Sequence, residues 1–108
     1  MKFDYSLQKR LEEIFSKLSE MSERALVNLD EDLAKNIDFV VYILHQMNIE
    51  YNLLKTATAL RLIDIAIDKL MKVNQDLAFE LADLKREMMT VNEKEIEKIL
   101  EEAPGTRQ

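Results

Sequence analysis

Apolar residues fall at Leu60, Ile63, Ile67, Leu70, Leu77, Leu81, Leu84, Met88 and Val91. The steps between them alternate three and four, and one seam position, Asn74, is polar. Residues three and four apart share a helix face, so this alternation marks a helix that lies against other helices. The stretch from Thr58 to Val91 therefore predicts one long third helix, roughly 50 Å from end to end. A single polar seam residue commonly sets register or oligomer state at a cost in stability, and Asn74 is read that way.

The same spacing predicts two helices before it. Leu7, Leu11, Ile14, Leu18, Met21 and Ala25 form the seam of a first helix from about Asp4 or Ser6 to Asn28, with Phe15 and Leu26 widening its stripe. Lys9, Arg10, Glu13, Lys17, Glu20 and Glu23 make up its solvated face. Asn28-Leu29-Asp30-Glu31-Asp32 reads as a turn, because Asn and Asp cap helix starts and acids suit the positive end of the helix dipole. A second helix follows from roughly Glu31 to Lys55, with a seam of Leu33, Ile37, Val40, Leu44, Met47, Tyr51 and Leu54. Its middle, Phe39 to Leu44, is apolar almost all round. A helix of that kind is buried on more than one side: one side meets its neighbours in the bundle, and the other suits a second subunit.

Two further breaks are expected. The seam slips in phase near Lys55-Thr56-Ala57-Thr58, which predicts a turn with Thr56 or Thr58 as cap. Thr90-Val91-Asn92-Glu93 fits a Thr-x-x-Glu capping box and predicts a break before a short helix bearing Ile96, Ile99 and Leu100. Pro104-Gly105 ends the order, so residues 1–103 read as one domain and 104–108 as a loose tail.

Composition narrows the fold class. The chain has 108 residues, one Gly and one Pro, and those two are adjacent. A sheet protein of this size needs more turn residues, so the expectation is all-α: an antiparallel bundle of three long helices with a short C-terminal fourth. With 47% hydrophobic and 33% charged residues the chain is neither disordered nor membrane-inserted, and no apolar run nears the ~18 residues of a spanning helix. The first residues lack the apolar core of a signal peptide, and the absence of cysteine excludes disulfides, thiolate metal sites and a cysteine nucleophile. These features lead us to expect a cytoplasmic protein. A net charge of −6 argues against nucleic acid as a ligand.

Little chemistry suggests itself. His45 is the only histidine, and the residue three before it is Tyr42, so the Glu-x-x-His of di-iron bundles is missing. One Gly excludes a Gly-rich phosphate loop. Asp64 and Asp68 are four apart, hence neighbours on one face, and two such carboxylates repel unless a cation stands between them. Their oxygens suit a hard divalent metal, Mg²⁺, Mn²⁺ or iron. Pairing with Arg61, Lys69 or Lys72, or plain solvation, is the simpler reading, because Asp76/Glu80 and Asp83/Glu87 repeat the spacing.

In its order of features the chain resembles the PhoU domain, the phosphate-uptake regulator family, over roughly Phe3 to Leu84. The residues that carry the resemblance are the run Leu11 to Met21, the Asp32-Leu33-Ala34 entry to the second helix, and Asp64 to Asp68, similar to the family's E/D-x-x-x-D motif. The resemblance implies a non-enzymatic regulator or adaptor that contacts a phosphate transporter or sensor kinase. It also implies a divalent metal (Mg, Mn, Fe or Zn) on Asp64 and Asp68, with Asp38 of the second helix as a third candidate ligand. Family members carry two three-helix halves, whereas this chain holds one. Two copies packing through the second or third helix would imitate that arrangement, which makes a homodimer the expected state. Leu60-Arg61, Ile63-Asp64 and Asp68 also resemble the first helix of all-helical chorismate mutases. Those enzymes clamp a dianion with several core Arg and Lys side chains, and Val73-Asn74-Gln75-Asp76 offers none. The reading from sequence is thus a contact-based regulator or adaptor, with a metal-free oligomerisation module as the alternative and no catalytic residues.

Overall fold

The computed structural model describes residues 5–102, which form four helices: α1 (Tyr5–Val27), α2 (Glu31–Asn52), α3 (Thr56–Met71) and α4 (Gln75–Glu102). The 1–4 and 103–108 portions of the expected domain and tail lie outside the described residues. α1 packs on α2 and α4, and α3 packs on α2 and α4, while the two diagonal pairs make no close backbone approach. Side-chain pairs set the directions. Phe15 meets His45 and Ser22 meets Asp38, so α2 descends where α1 rises. Lys17 meets Glu80 and Arg10 meets Glu87, so α4 descends beside α1 as well. With short connections at every turn, this is an up-down-up-down four-helix bundle.

The expected long third helix is two helices. The chain reverses at residues 72–74, and Asn74 is the cap of α4 rather than a polar seam residue. Its side-chain oxygen accepts the N–H of Leu77 at 3.1 Å, and its own N–H donates to the Leu70 carbonyl at 2.7 Å. Conversely, the break expected at residues 90–93 does not occur. α4 runs straight through it, and the Thr90 hydroxyl bonds to the Arg86 carbonyl one turn back, the usual resting place for a threonine inside a helix. The bundle therefore has four helices in place of three long ones and a short addition.

The first turn falls where the sequence places it, while the second comes a few residues early, at 53–55 rather than Lys55–Thr58, and takes Leu54 out of the expected α2 seam into an exposed turn position. Asp30 caps α2 by accepting the Leu33 N–H at 3.1 Å, and Glu31 and Asp32 occupy the first turn. α3 begins at Thr56 with Lys55 as its cap residue and no side-chain cap bond, so neither Thr56 nor Thr58 caps it. α1 and α2 both end in a Schellman motif. In the first, Asp30 N–H donates to the Ala25 carbonyl at 2.8 Å and Leu29 N–H to Leu26 at 3.1 Å. In the second, Lys55 donates to Glu50 at 2.9 Å and Leu54 to Tyr51 at 3.1 Å. The left-handed residue that this motif requires is Leu29 (φ 60) in one and Leu54 (φ 67) in the other, where glycine is usual.

The core is one apolar cluster drawn from all four helices. Leu11, Leu18, Ile37, Leu44, Met47, Tyr51, Ile63, Leu70, Leu81, Leu84 and Met88 are fully buried, and no polar or charged residue is buried among those described. Each such side chain stabilises the fold by about 1.5–3 kcal/mol relative to exposure. In α3 the buried line is Ala59, Ile63, Ala66 and Leu70, while Leu60 and Ile67 of the expected seam are half-buried. On α4 burial ends at Met88. Val91 and Asn92 are half-buried, and every residue from 93 to 102 is exposed. These last three turns make about 15 Å of exposed helix.

Candidate interaction surface

The three aspartates of the expected metal site lie on different sides of the bundle. Asp38 faces α1 and accepts a hydrogen bond from Ser22 at 3.1 Å. Asp64 faces α4 and pairs with Lys85 at 2.6 Å. Asp68 lines a shallow hollow with Phe39, Ile65, Lys69 and Lys72, between α2 and α3. Helical spacing makes Asp64 and Asp68 neighbours along α3, but Asp64 turns to Lys85 of α4 while Asp68 borders the hollow on the α2 side. Among the described residues no three His, Cys, Asp or Glu side chains converge as a metal would require.

The basic groups that a dianion clamp would use are also dispersed. Lys85 is held by Asp64, Lys55 lies 3.8 Å from Glu50 at the α2–α3 turn, and Arg61 is exposed on α3. The α1–α2 groove does gather Ser22, Asp38 and His45. Ser22 donates to Asp38, and the His45 ring stacks on Phe15 with centroids 4.3 Å apart and planes 17° off parallel. The histidine does not stand between serine and acid, so the group lacks the order of a nucleophile, base and orienting acid. His45 itself is exposed, and its ring covers Phe15.

What the bundle does present is apolar surface. Along the outside of α2, Phe39, Tyr42, Ile49 and Leu53 are exposed, with Gln46 completing a second 3–4 stripe. Tyr42 is 60% and Leu53 59% exposed, values far from those of a core-facing position. Ile65 of α3 lies beside this stripe across the groove, next to Phe39. From Phe39 to Ile49 the chain carries no Asp, Glu, Lys or Arg, although a third of its residues are charged. Burial against α1 and α3 explains Val40, Ile43, Leu44 and Met47, but not the outer stripe.

Charge frames this face. Lys69 sits 5.5 Å over the Phe39 ring, a cation–π arrangement, and Lys72 lines the same hollow. Lys35 precedes Phe39 by four and Arg61 precedes Ile65 by four, so both share the face. Glu31, Asp32, Glu50 and Asp68 share the face by the same spacing, so it carries both signs of charge. Sequence reasoning marked the all-round apolar middle of α2 as suited to a second subunit. It missed Ile65 and the lysine frame, because their part in the face depends on how α3 packs against α2.

No helix among the described residues is long and apolar enough to cross a membrane. Compared with protein-family models, with curated proteins and with solved structures, the chain matches none.

Proposed function

We propose that this protein is a helical interaction module that self-associates through the outer face of α2 and α3 and acts by protein contact rather than by chemistry. The observation that carries the reading is the exposed stripe of Phe39, Tyr42, Ile49 and Leu53 beside Ile65. Exposed apolar side chains gathered along one helix face mark a candidate binding face. Its aromatic and branched side chains are of the type that anchors interfaces. The dispersal of Asp38, Asp64 and Asp68, each beside its own protein neighbours, favours a module without metal.

A regulator or adaptor of the PhoU kind would use such a contact face in the same way, with a transporter or sensor kinase as its further partner. The support for that role is the order of features in the sequence, and the test for it is a metal bound by Asp64 and Asp68.

The self-association reading is tested by placing charge in the stripe. Tyr42→Glu with Ile49→Glu touches no fully buried residue, so the bundle should keep its helical content. In sedimentation velocity the unaltered chain is expected to associate at micromolar concentration and the double variant to weaken that association at least about tenfold. Association that the double variant leaves unchanged would place the interface elsewhere.

A further inference from the structure

The outer stripe of α2 is close to symmetrical about its one polar member. Phe39 and Leu53 lie seven residues to either side of Gln46, while Tyr42 lies four before it and Ile49 three after it. The four flanking side chains are exposed and Gln46 is half-buried. A stripe with this spacing matches itself when a second copy is turned end for end. Phe39 then comes level with the partner's Leu53, Tyr42 falls within a residue of the partner's Ile49, and Gln46 meets the partner's Gln46.

The mixed charge of the face fits the same orientation. Glu50 lies eleven residues after Phe39, three helical turns, so both sit on the edge of α2 that faces α3. Lys69 stands 5.5 Å over the Phe39 ring, and Arg61 lies about two turns away along α3. End for end, the partner's Glu50 comes level with Tyr42, between these two cations. Glu50 is held only loosely in its own chain, 3.8 Å from Lys55. Asp68 and Lys72 border the hollow with opposite signs and offset each other. Glu31, Asp32 and Lys35 fall past the end of the partner's α2. Parallel packing would instead set Glu50 level with Glu50 and Lys35 with Lys35, and would align the two helix dipoles.

We propose that two copies associate with α2 packed antiparallel on α2 and the two-fold axis at Gln46. The proposal rests on the α2–α3 face being a self-association surface and names how it is matched. The contact is isologous, the same surface serving on both copies. A glutamine amide both donates and accepts, so the two Gln46 side chains exchange hydrogen bonds across the axis. That polar pair fixes the register, because a slipped contact would leave both amides unpartnered against apolar neighbours.

The chain has no cysteine, so introduced cysteines report the register without interference. A disulfide needs Cα atoms within about 7 Å, and positions 39 and 53 of one helix are about 21 Å apart, so a bond between them joins two copies. On mild oxidation and non-reducing electrophoresis, Gln46→Cys and Phe39→Cys/Leu53→Cys are expected to shift from one chain to two. Phe39→Cys alone and Leu53→Cys alone are expected to stay at one chain. If Phe39→Cys cross-links with itself, or the paired variant does not cross-link, the antiparallel register is wrong while the α2–α3 face stands. If the unaltered chain associates and none of the four variants cross-links, α2 does not meet α2 and the proposal falls. If the unaltered chain never associates, both readings fall together.

Discussion

The side-chain oxygen of Asn74 holds the backbone N–H of Leu77 at 3.1 Å. That bond opens α4, and the Asn74 N–H closes α3 on the Leu70 carbonyl. Asn74 also approaches Met21 of α1, its side-chain nitrogen lying 3.8 Å from the sulfur.

Asn74→Ala should cost about 1 kcal/mol, the usual loss of an N-cap, and Asn74→Asp should retain most of the stability. Were residues 58–91 a single helix, alanine would be the better helix former by up to about 0.7 kcal/mol and the change would stabilise. The sign of the shift in urea denaturation therefore decides between a hairpin and a continuous helix.

This turn shows what seam spacing can and cannot reveal. From Leu70 to Leu77 is one heptad, whether the chain runs on or reverses, so residues 72–74 fold back without disturbing the 3–4 alternation. The legible sign was chemical: Asn74 followed by Asp76 in the first turn is a helix start. The capping box at Thr90 misled for the opposite reason. A threonine can satisfy its hydroxyl inside a helix, and Thr90 does so on Arg86. The 3–4 spacing did find the core of α1 and α2, because one stripe there faces one set of neighbours. It did not find the partners of Asp38 and Asp64. Those partners, Ser22 of α1 and Lys85 of α4, are set by packing, on helices whose arrangement the pattern leaves open.

Leu29 and Leu54 hold left-handed backbone at φ 60 and 67. A side chain with a Cβ is disfavoured there by about 1 kcal/mol. Leu29→Gly and Leu54→Gly should each raise stability by some tenths of a kcal/mol up to about 1, the gain being offset in part by the entropy of glycine in the unfolded chain. Leu26→Gly, inside α1, should instead lower it by about as much. Thermal melts of the three variants check both signs.

Asp64→Asn with Asp68→Asn should leave the protein folded and its mass in native mass spectrometry unchanged by chelator, before and after substitution. The loss of the exposed Asp64–Lys85 pair should cost no more than about 0.5 kcal/mol. A divalent ion carried by the unaltered chain and lost in the double variant would favour the metal-dependent regulator instead.

Lys17 reaches from α1 to Glu80 of α4 with bonds of 2.8 and 3.0 Å. The Glu80 carboxylate that accepts them holds the ammonium above its ordinary value of 10.5. The folded state thus keeps this proton more tightly than the unfolded chain. The tie is fully present below pH 10.5 and is lost as the pH climbs through the raised value. Lys17→Met should remove this part of the alkaline response while leaving neutral-pH stability nearly unchanged, since the pair is exposed. Denaturation midpoints compared across that alkaline range read it directly.

The central claim is that the outer face of α2 and α3 is an interface between copies. Light scattering of the unaltered chain across a dilution series measures this most directly. The account predicts a mass of twice the chain at micromolar concentration, falling toward one chain on dilution. A mass of one chain at every concentration would contradict it.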